Sequence, residues 1–418
     1  MDLTWGPDRL APVTYVPPQE ILERYARLLI NYAPRHGEGI RPGDVVRVMA
    51  EIEARPLADE VCKAVWRSGG HVINFGHLPG GDQSHLSPTF FAMASDEQIR
   101  WFPAKLLRGL TDEMTHELVI YSDGDPHMLD GVSPEKTVSF RRAVRPFRDW
   151  RDQKELAGEY TWTLCQYATP GLAAEAGMSV EEYWEQIIKA CFLDDPDPIA
   201  RWQEVDARLA HFRQRLDALQ IERVHLEGQD LDLWITIGPG RRWKGGVHAN
   251  IPSFELFTTP DWRGTNGWIR FSEPLYEFGS LITGIRLEFK DGVVVQATAD
   301  QNEELLRQMI ATPGADKLGE FSLTDGRLSR IDRFMANTLY DENVGGPYGN
   351  THVAIGDAYQ DVYPGNPAEV TDEEWERLGF NTSALHVDIV STTDRTVTAH
   401  LPDGSAQVIY TGGQFTLD

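Results

Sequence analysis

Apolar positions in the first half of the chain switch between a helical and a two-residue period. Ile21, Leu22, Tyr25, Leu28, Leu29 and Tyr32 recur at helical spacing after Pro17-Pro18, which predicts an amphipathic helix. Gly43-Asp44 then leads into Val45-Val46-Arg47-Val48-Met49, a short apolar strand. Pro56 opens a helix running to Gly69-Gly70, and His71-Val72-Ile73-Asn74-Phe75 follows as a second strand. Strand, helix and strand in that order predict a parallel sheet. Further strands are expected at 117–121 and 160–166. Ser179 with Glu182 forms a capping-box pattern before a helix ending near Phe192. Asp197-Pro198 starts the next helix, whose apolar stripe is Ile199, Trp202, Val205, Leu209, Phe212, Leu216 and Leu219.

After about Glu222 alternation dominates, as in Leu231-Asp232-Leu233-Trp234-Ile235-Thr236-Ile237. Residues 285–289, Asp291-Gly292 and 293–297 read as a hairpin, and so do 397–401, Asp403-Gly404 and 407–410. One helix interrupts near 301–310. The expected fold class is α/β: an N-terminal α/β domain with a mainly parallel sheet over residues 1–220, then a β-rich α+β domain over residues 221–418. The sequence shows no internal repeat and no low-complexity tract.

Composition narrows the function. Of the 418 residues, 41% are hydrophobic and 25% charged, as in a soluble globular protein. Asp plus Glu number 64 against 39 Lys plus Arg, a formal net charge of -25. That balance argues against nucleic acid or an anionic membrane as partner. Cys62, Cys165 and Cys191 are odd in number and far apart, so neither a disulfide framework nor a zinc ribbon is indicated. Reduced cysteines and the lack of a secretory pattern at the N-terminus give a cytoplasmic expectation. No apolar run reaches the length of a membrane span.

Familiar catalytic motifs are missing. There is no G-x-S-x-G, H-E-x-x-H, G-x-x-x-x-G-K-[ST] or G-x-G-x-x-G. The basic, glycine-rich run from Gly238 to Gly245 is read as a plain hairpin turn rather than an anion grip, because no helix pattern follows it.

What remains is a sparse set of ligand-type side chains: Glu255, Glu320, His352, Tyr359, His386 and Asp388. His386 and Asp388 lie two apart in the apolar run 384–390, so in a strand they project from one face. Burying a carboxylate without a partner is strongly unfavourable, and a metal ion would offset that cost. Taken alone, a His-x-Asp pair is more often a hydrogen-bonded pair than a metal site. His352 reads equally as a loop histidine, and the apolar run after it points to an element entering a core. Tyr359, seven residues on, would share a helical face with it if the segment were helical. Glu255, between Pro252 and Pro260, is either the polar face of a strand or a buried ligand, and Glu320 has the same two readings. Together, three carboxylates and two imidazoles can hold two divalent ions, typically about 3.5–4 Å apart in hydrolases. Nitrogen and carboxylate ligands suit zinc, cobalt or manganese.

The chain resembles the thermophilic-type aminopeptidases, the aminopeptidase T and aminopeptidase S group, over nearly its whole length. The resemblance includes Tyr25-Ala26-Arg27-Leu28-Leu29, the segment Ala176-Gly177 to Glu181-Glu182, and Asp195-Pro196-Asp197-Pro198. Its specific part is in the second half: Asn250-Ile251-Pro252 to Glu255, Leu318-Gly319-Glu320, the run from Asn337 to Asn343 followed by His352, Gly356-Asp357-Ala358-Tyr359, and His386-Val387-Asp388. The segment from Gly345 to Asn350 is longer than in many members, so substrate preference is not carried over.

The resemblance implies six metal ligands at Glu255, Glu320, His352, Tyr359, His386 and Asp388, and two divalent ions, zinc, cobalt or manganese, activating a water. It implies removal of N-terminal residues from short peptides, with Glu255 or Glu320 shuttling a proton and Tyr359 stabilising the oxyanion. Asp388 is the natural bridging carboxylate and His386 a terminal ligand. A homodimer is implied as well. Two rivals are a mononuclear iron(II) ring-cleaving dioxygenase using His352, His386 and Asp388, and a non-catalytic protein that keeps the fold.

Overall fold

Alternating apolar strands and amphipathic helices in the first half build a small parallel sheet. The computed structural model describes residues 15–73, 88–122, 124–129, 131–246 and 249–417. Asn74 and Phe75, expected at the end of the second strand, lie outside them. The chain divides into two compact units, Met1–Ala200 with His248–Ile251, and Arg201–Val247 with Pro252–Asp418.

In the first unit, β1 (Val45–Ala50), β2 (His71–Ile73), β3 (His116–Tyr121) and β4 (Thr161–Gln166) form a sheet of order β2-β1-β3-β4, parallel throughout. The opening helix, Gln19–Asn31, buries Leu22, Tyr25, Leu28 and Leu29, the stripe that its sequence spacing predicts. The helix Arg55–Arg67 joins β1 to β2 and carries Pro56 in its first turn, where proline's missing N–H has no helical partner to lose. The capping box is present: Glu182 N–H donates to Ser179 Oγ (3.2 Å) and Ser179 N–H to Glu182 Oε2 (2.9 Å).

The second unit is antiparallel. Its strands are β5 (Arg223–Gly228), β6 (Leu231–Thr236), β7 (Lys244–Gly245), β8 (Glu255–Thr258), β9 (Asp261–Arg270), β10 (Leu275–Glu277), β11 (Ser280–Ile282), β12 (Arg286–Lys290) and β13 (Val293–Thr298). After the helix Glu303–Ile310 come β14 (Leu318–Thr324), β15 (Asn350–Gly356), β16 (His386–Ser391), β17 (Arg395–His400), β18 (Ala406–Thr411) and β19 (Gln414–Phe415). Eight of them form a sheet of order β13-β12-β9-β6-β5-β17-β18-β19, and five form a second sheet, β16-β15-β14-β8-β7. Both hairpins expected from Asp-Gly pairs are found, β12 with β13 and β17 with β18. At the first, Asp291 (φ 50°) and Gly292 (φ 88°) are both left-handed, the geometry that suits the strand twist.

The basic glycine-rich run is not a hairpin turn. It carries the chain from β6 in the larger sheet to β7 in the smaller one. Its Arg241 donates to the carbonyl oxygens of Thr259 (3.2 Å), Pro239 (2.7 Å) and Leu378 (2.5 Å) and lies over the Phe380 ring. The guanidinium therefore ties the crossing segment down rather than gripping an anion.

Candidate metal centre

The register of the five-stranded sheet decides where the polar side chains of the second half point. Directly opposed residues in antiparallel strands put their side chains on one face. Across β14, β15 and β16, Glu320 opposes Ala354 and Ala354 opposes Asp388. Ser322 opposes His352, Thr324 opposes Glu255, and Gly356 opposes His386. Glu255, Glu320, His352, His386 and Asp388 thus share a face. Leu256, Phe321, Leu323, Val353, Ile355, Val387 and Ile389 take the other face and are buried. Each such apolar side chain contributes roughly 1.5–3 kcal/mol on burial. A slip of one residue would turn the carboxylates into that layer, so the apolar face holds these polar residues in register. Ala354, with only a methyl group, leaves space between the Glu320 and Asp388 carboxylates.

Glu320 reaches this face through a β-bulge. Leu318 pairs with Ile355 and Glu320 with Ala354, so Gly319 is the extra residue. Two residues apart in a regular strand, Leu318 and Glu320 would face the same way; the bulge re-aims one of them. Only glycine fits at the bulge, because a Cβ there would lie 2.0 Å from the Asp357 carbonyl oxygen.

The resulting contacts are short. His352 Nε2 lies 3.1 Å from Glu255 Oε2, 3.1 Å from Glu320 Oε1 and 3.9 Å from Asp388 Oδ1. His386 Nε2 lies 3.6 Å from Glu320 Oε2 and 3.5 Å from Asp388 Oδ1. Two sets have ligand atoms within 4.8 Å of one another: Glu255, Glu320 and His352, and Glu320, His386 and Asp388. Glu320 belongs to both. Ser322 Oγ donates to Glu255 Oε2 at 3.0 Å. His386 Nδ1 bonds the Asp357 carbonyl at 2.8 Å, which turns its other nitrogen toward the carboxylates.

Charge is concentrated in a largely buried space. Burial, and then the neighbouring Glu255 and Asp388 charges, push Glu320 up to about 7 against the hydrogen bond from His352. Burial alone would lower both histidines. The Glu255 and Glu320 carboxylates outweigh it and hold His352 well above its usual range, and Asp388 takes His386 to about 10. Burial works to raise Asp388 too, but the charge of His386 wins and it is lowered.

These residues fit a divalent metal. Asp388 Oδ1 and His386 Nε2 are buried and have no hydrogen-bond partner among the described residues, although buried polar atoms are nearly always satisfied. Their separation of 3.5 Å is too long for a good hydrogen bond. Converging carboxylate oxygens and imidazole nitrogens on a rigid sheet are what a divalent ion requires.

Tyr359 stands beside the cluster. His352 is a residue of β15 and Tyr359 lies beyond the strand's end, just before the short helical turn Gln360–Val362. Strand and turn, not a shared helical face, bring them together. The Tyr359 ring packs on His386 (4.6 Å between centroids) and Phe257 (5.7 Å). Although the residue is 46% exposed, burial of its phenol end and the charges of Glu320 and Asp388 raise it above the ordinary tyrosine range, so it is available as a hydrogen-bond donor.

One acidic group escaped the sequence reading. Glu342 is 8% exposed. Burial, then the charges of Glu255 and Asp388, hold its carboxyl well above the glutamate range. With Asp388, Tyr276 and Thr338 it lines a narrow cleft beside the cluster. The available signal was the density of polar residues from Asn337 to Asn343, where Asp341, Glu342 and Asn343 are all buried. Asp341 has a structural use, accepting from Met335 N–H (2.6 Å) and Asn337 N–H (2.8 Å).

Comparison with known proteins gives one consistent set of relatives. Residues 18–415 match the thermophilic metalloprotease (M29) family. The chain is 30% identical to aminopeptidase T of Thermus thermophilus over 95% of its own length and 98% of that protein. It is 29% identical to aminopeptidase 2 of Geobacillus stearothermophilus, with the same coverage. The fold is similar to the solved structure of wild-type AmpT from Thermus thermophilus, with a TM-score of 0.79 at 27% identity, covering 95% of this chain and 99% of that one. The iron(II) dioxygenase alternative finds no support among these relatives.

Proposed function

The chain belongs to the thermophilic metalloprotease (M29) family and is a metallo-aminopeptidase; from that premise we propose that Glu255, Glu320, His352, His386 and Asp388 hold two divalent ions, zinc, cobalt or manganese, and that the substrates are short peptides with a free N-terminus. The observation that carries this reading is the pair of overlapping ligand sets joined at Glu320. Asp388 Oδ1 faces the Nε2 atoms of both His352 and His386, which supports it as a shared carboxylate. His386, oriented by the Asp357 carbonyl, serves as a terminal ligand. Bound there, a divalent ion supplies an acidified water and polarises a carbonyl.

The protein's own groups do the rest. Glu342 belongs to neither ligand set and is held above the ordinary glutamate range, so its carboxyl can carry a proton and pass it to the leaving amine. Glu255 and Glu320, which the resemblance offers for this role, are ligands in this reading and hold no proton while bound. Tyr359 offers its phenol to the oxygen that gains negative charge. No helix among the described residues is long and apolar enough to cross a membrane. The proposal extends to a homodimer, a cytoplasmic location, and a division of labour between residues 1–220 and 221–418 with the chemistry in the second part. Light scattering tests the dimer.

Blocking the amine tests the reaction class. The metal-loaded protein is expected to hydrolyse leucine p-nitroanilide and to lose at least ~10²-fold in kcat/KM when the leucine is N-acetylated. Equal rates on the two substrates would sink the exopeptidase reading.

A further inference from the structure

A single buried amide connects the strand that carries Glu255 to the carboxylate of Glu342. Asn343 is wholly buried. Its Oδ1 accepts from Phe254 N–H at 2.6 Å, one residue before Glu255. Its Nδ2 donates to the Leu339 carbonyl oxygen at 3.1 Å and to Glu342 Oε1 at 3.3 Å. The orientation of the amide follows from its neighbours: flipped, it would set NH₂ against an N–H and its oxygen against a carbonyl and a carboxylate. Phe254 is itself fixed, its ring stacked on Trp202 with centroids 5.0 Å apart and planes 17° from parallel. The backbone of Glu342 is pinned as well, because Asn350 Nδ2 donates to the carbonyl oxygens of Glu342 (2.9 Å) and Val344 (2.6 Å).

We infer that Asn343 is a positioning residue for the metal centre: it sets the reach of Glu255 through the backbone of Phe254 and the rotamer of Glu342 through a direct hydrogen bond. The inference rests on the metal reading above. Phe254 and Asn343 lie 89 residues apart in the chain, and neither local chain geometry nor the sheet ladder couples Phe254 N–H to the Glu342 carboxylate. Among the described residues Asn343 Nδ2 is the donor that reaches the Glu342 carboxylate. Groups that orient first ligands in this way typically change metal affinity about 10–100-fold when removed.

Two variants separate positioning from mere stability. Asn343→Leu removes both limbs of the clamp and leaves Phe254 N–H buried without an acceptor. Asn343→Asp keeps an oxygen for Phe254 N–H but replaces the donor facing Glu342 by a second carboxylate oxygen. Each chelator-stripped protein is titrated with zinc by calorimetry, and its melting temperature is measured. Zinc binding at least about tenfold weaker is expected in Asn343→Leu and close to wild type in Asn343→Asp, which keeps the Phe254 N–H bond; the rate on leucine p-nitroanilide falls at least about tenfold in both, because both lose the donor facing Glu342. If Asn343→Leu does not fold, the rate of zinc-loaded Asn343→Asp carries the test. Wild-type zinc affinity in folded Asn343→Leu, or a wild-type rate in folded Asn343→Asp, overturns the positioning role. Failure of the wild-type protein itself to bind zinc would instead overturn the metal reading on which the inference depends.

Discussion

Glu320→Gln is expected to lower peptide hydrolysis at least ~10³-fold and to reduce bound metal, while leaving the stripped protein no less stable. Glu320 is the member common to both ligand sets, so its loss disturbs both ions at once. Glutamine keeps the shape and an oxygen near His352 Nε2 but gives up the charge. The stability sign follows from the raised carboxyl. Its pKa rises from 4.5 to about 7 on folding, so stability is lost as pH climbs through that window and the loss is complete above it. Removing the charge relieves that cost in the metal-free protein. Elemental analysis, the rate on leucine p-nitroanilide and a melting curve at about pH 8 check the three parts. Unchanged metal content together with an unchanged rate would remove the proposed centre.

Tyr359→Phe should behave differently. The ring contacts with His386 and Phe257 survive the substitution, and only the hydroxyl is lost. A donor aimed at developing negative charge is worth roughly 10²–10³ in kcat. The expected result is therefore a kcat about 10²-fold lower with KM and metal content close to wild type. A normal kcat would deny the phenol any part in the chemistry. A loss of metal would mean that its oxygen is chiefly a ligand.

Much of the scaffold was legible because local periodicity matches the tertiary burial. The stripe of the opening helix, the Ser179–Glu182 box and both Asp-Gly hairpins are found where sequence places them. The six candidate ligands were legible as residue types; the structure brings Glu255, Glu320, His352, His386 and Asp388 to one face of the sheet and sets Tyr359 beside them. What the sequence does not carry is strand order. Glu255, Glu320, His352 and the His386–Asp388 pair come from β8, β14, β15 and β16, which are neighbours only through long-range pairing. The bulge at Gly319 was hidden for the same reason, since it is defined by what opposes it. The glycine-rich run was misread as a hairpin turn because its two flanking strands belong to different sheets. Glu342 was missed because its importance comes from distant carboxylates rather than from its own segment.

Calorimetric titration of the chelator-stripped protein with zinc, with aminopeptidase activity followed on the same samples, tests the metal centre most directly. Two ions should bind per chain, and activity should rise as they fill the site. Protons should be released on binding, because Asp388 holds the His386 pKa at about 10 and Nε2 must lose its proton before it can ligate. Stripped protein that retains full activity, or that takes up no zinc, would contradict the proposed site.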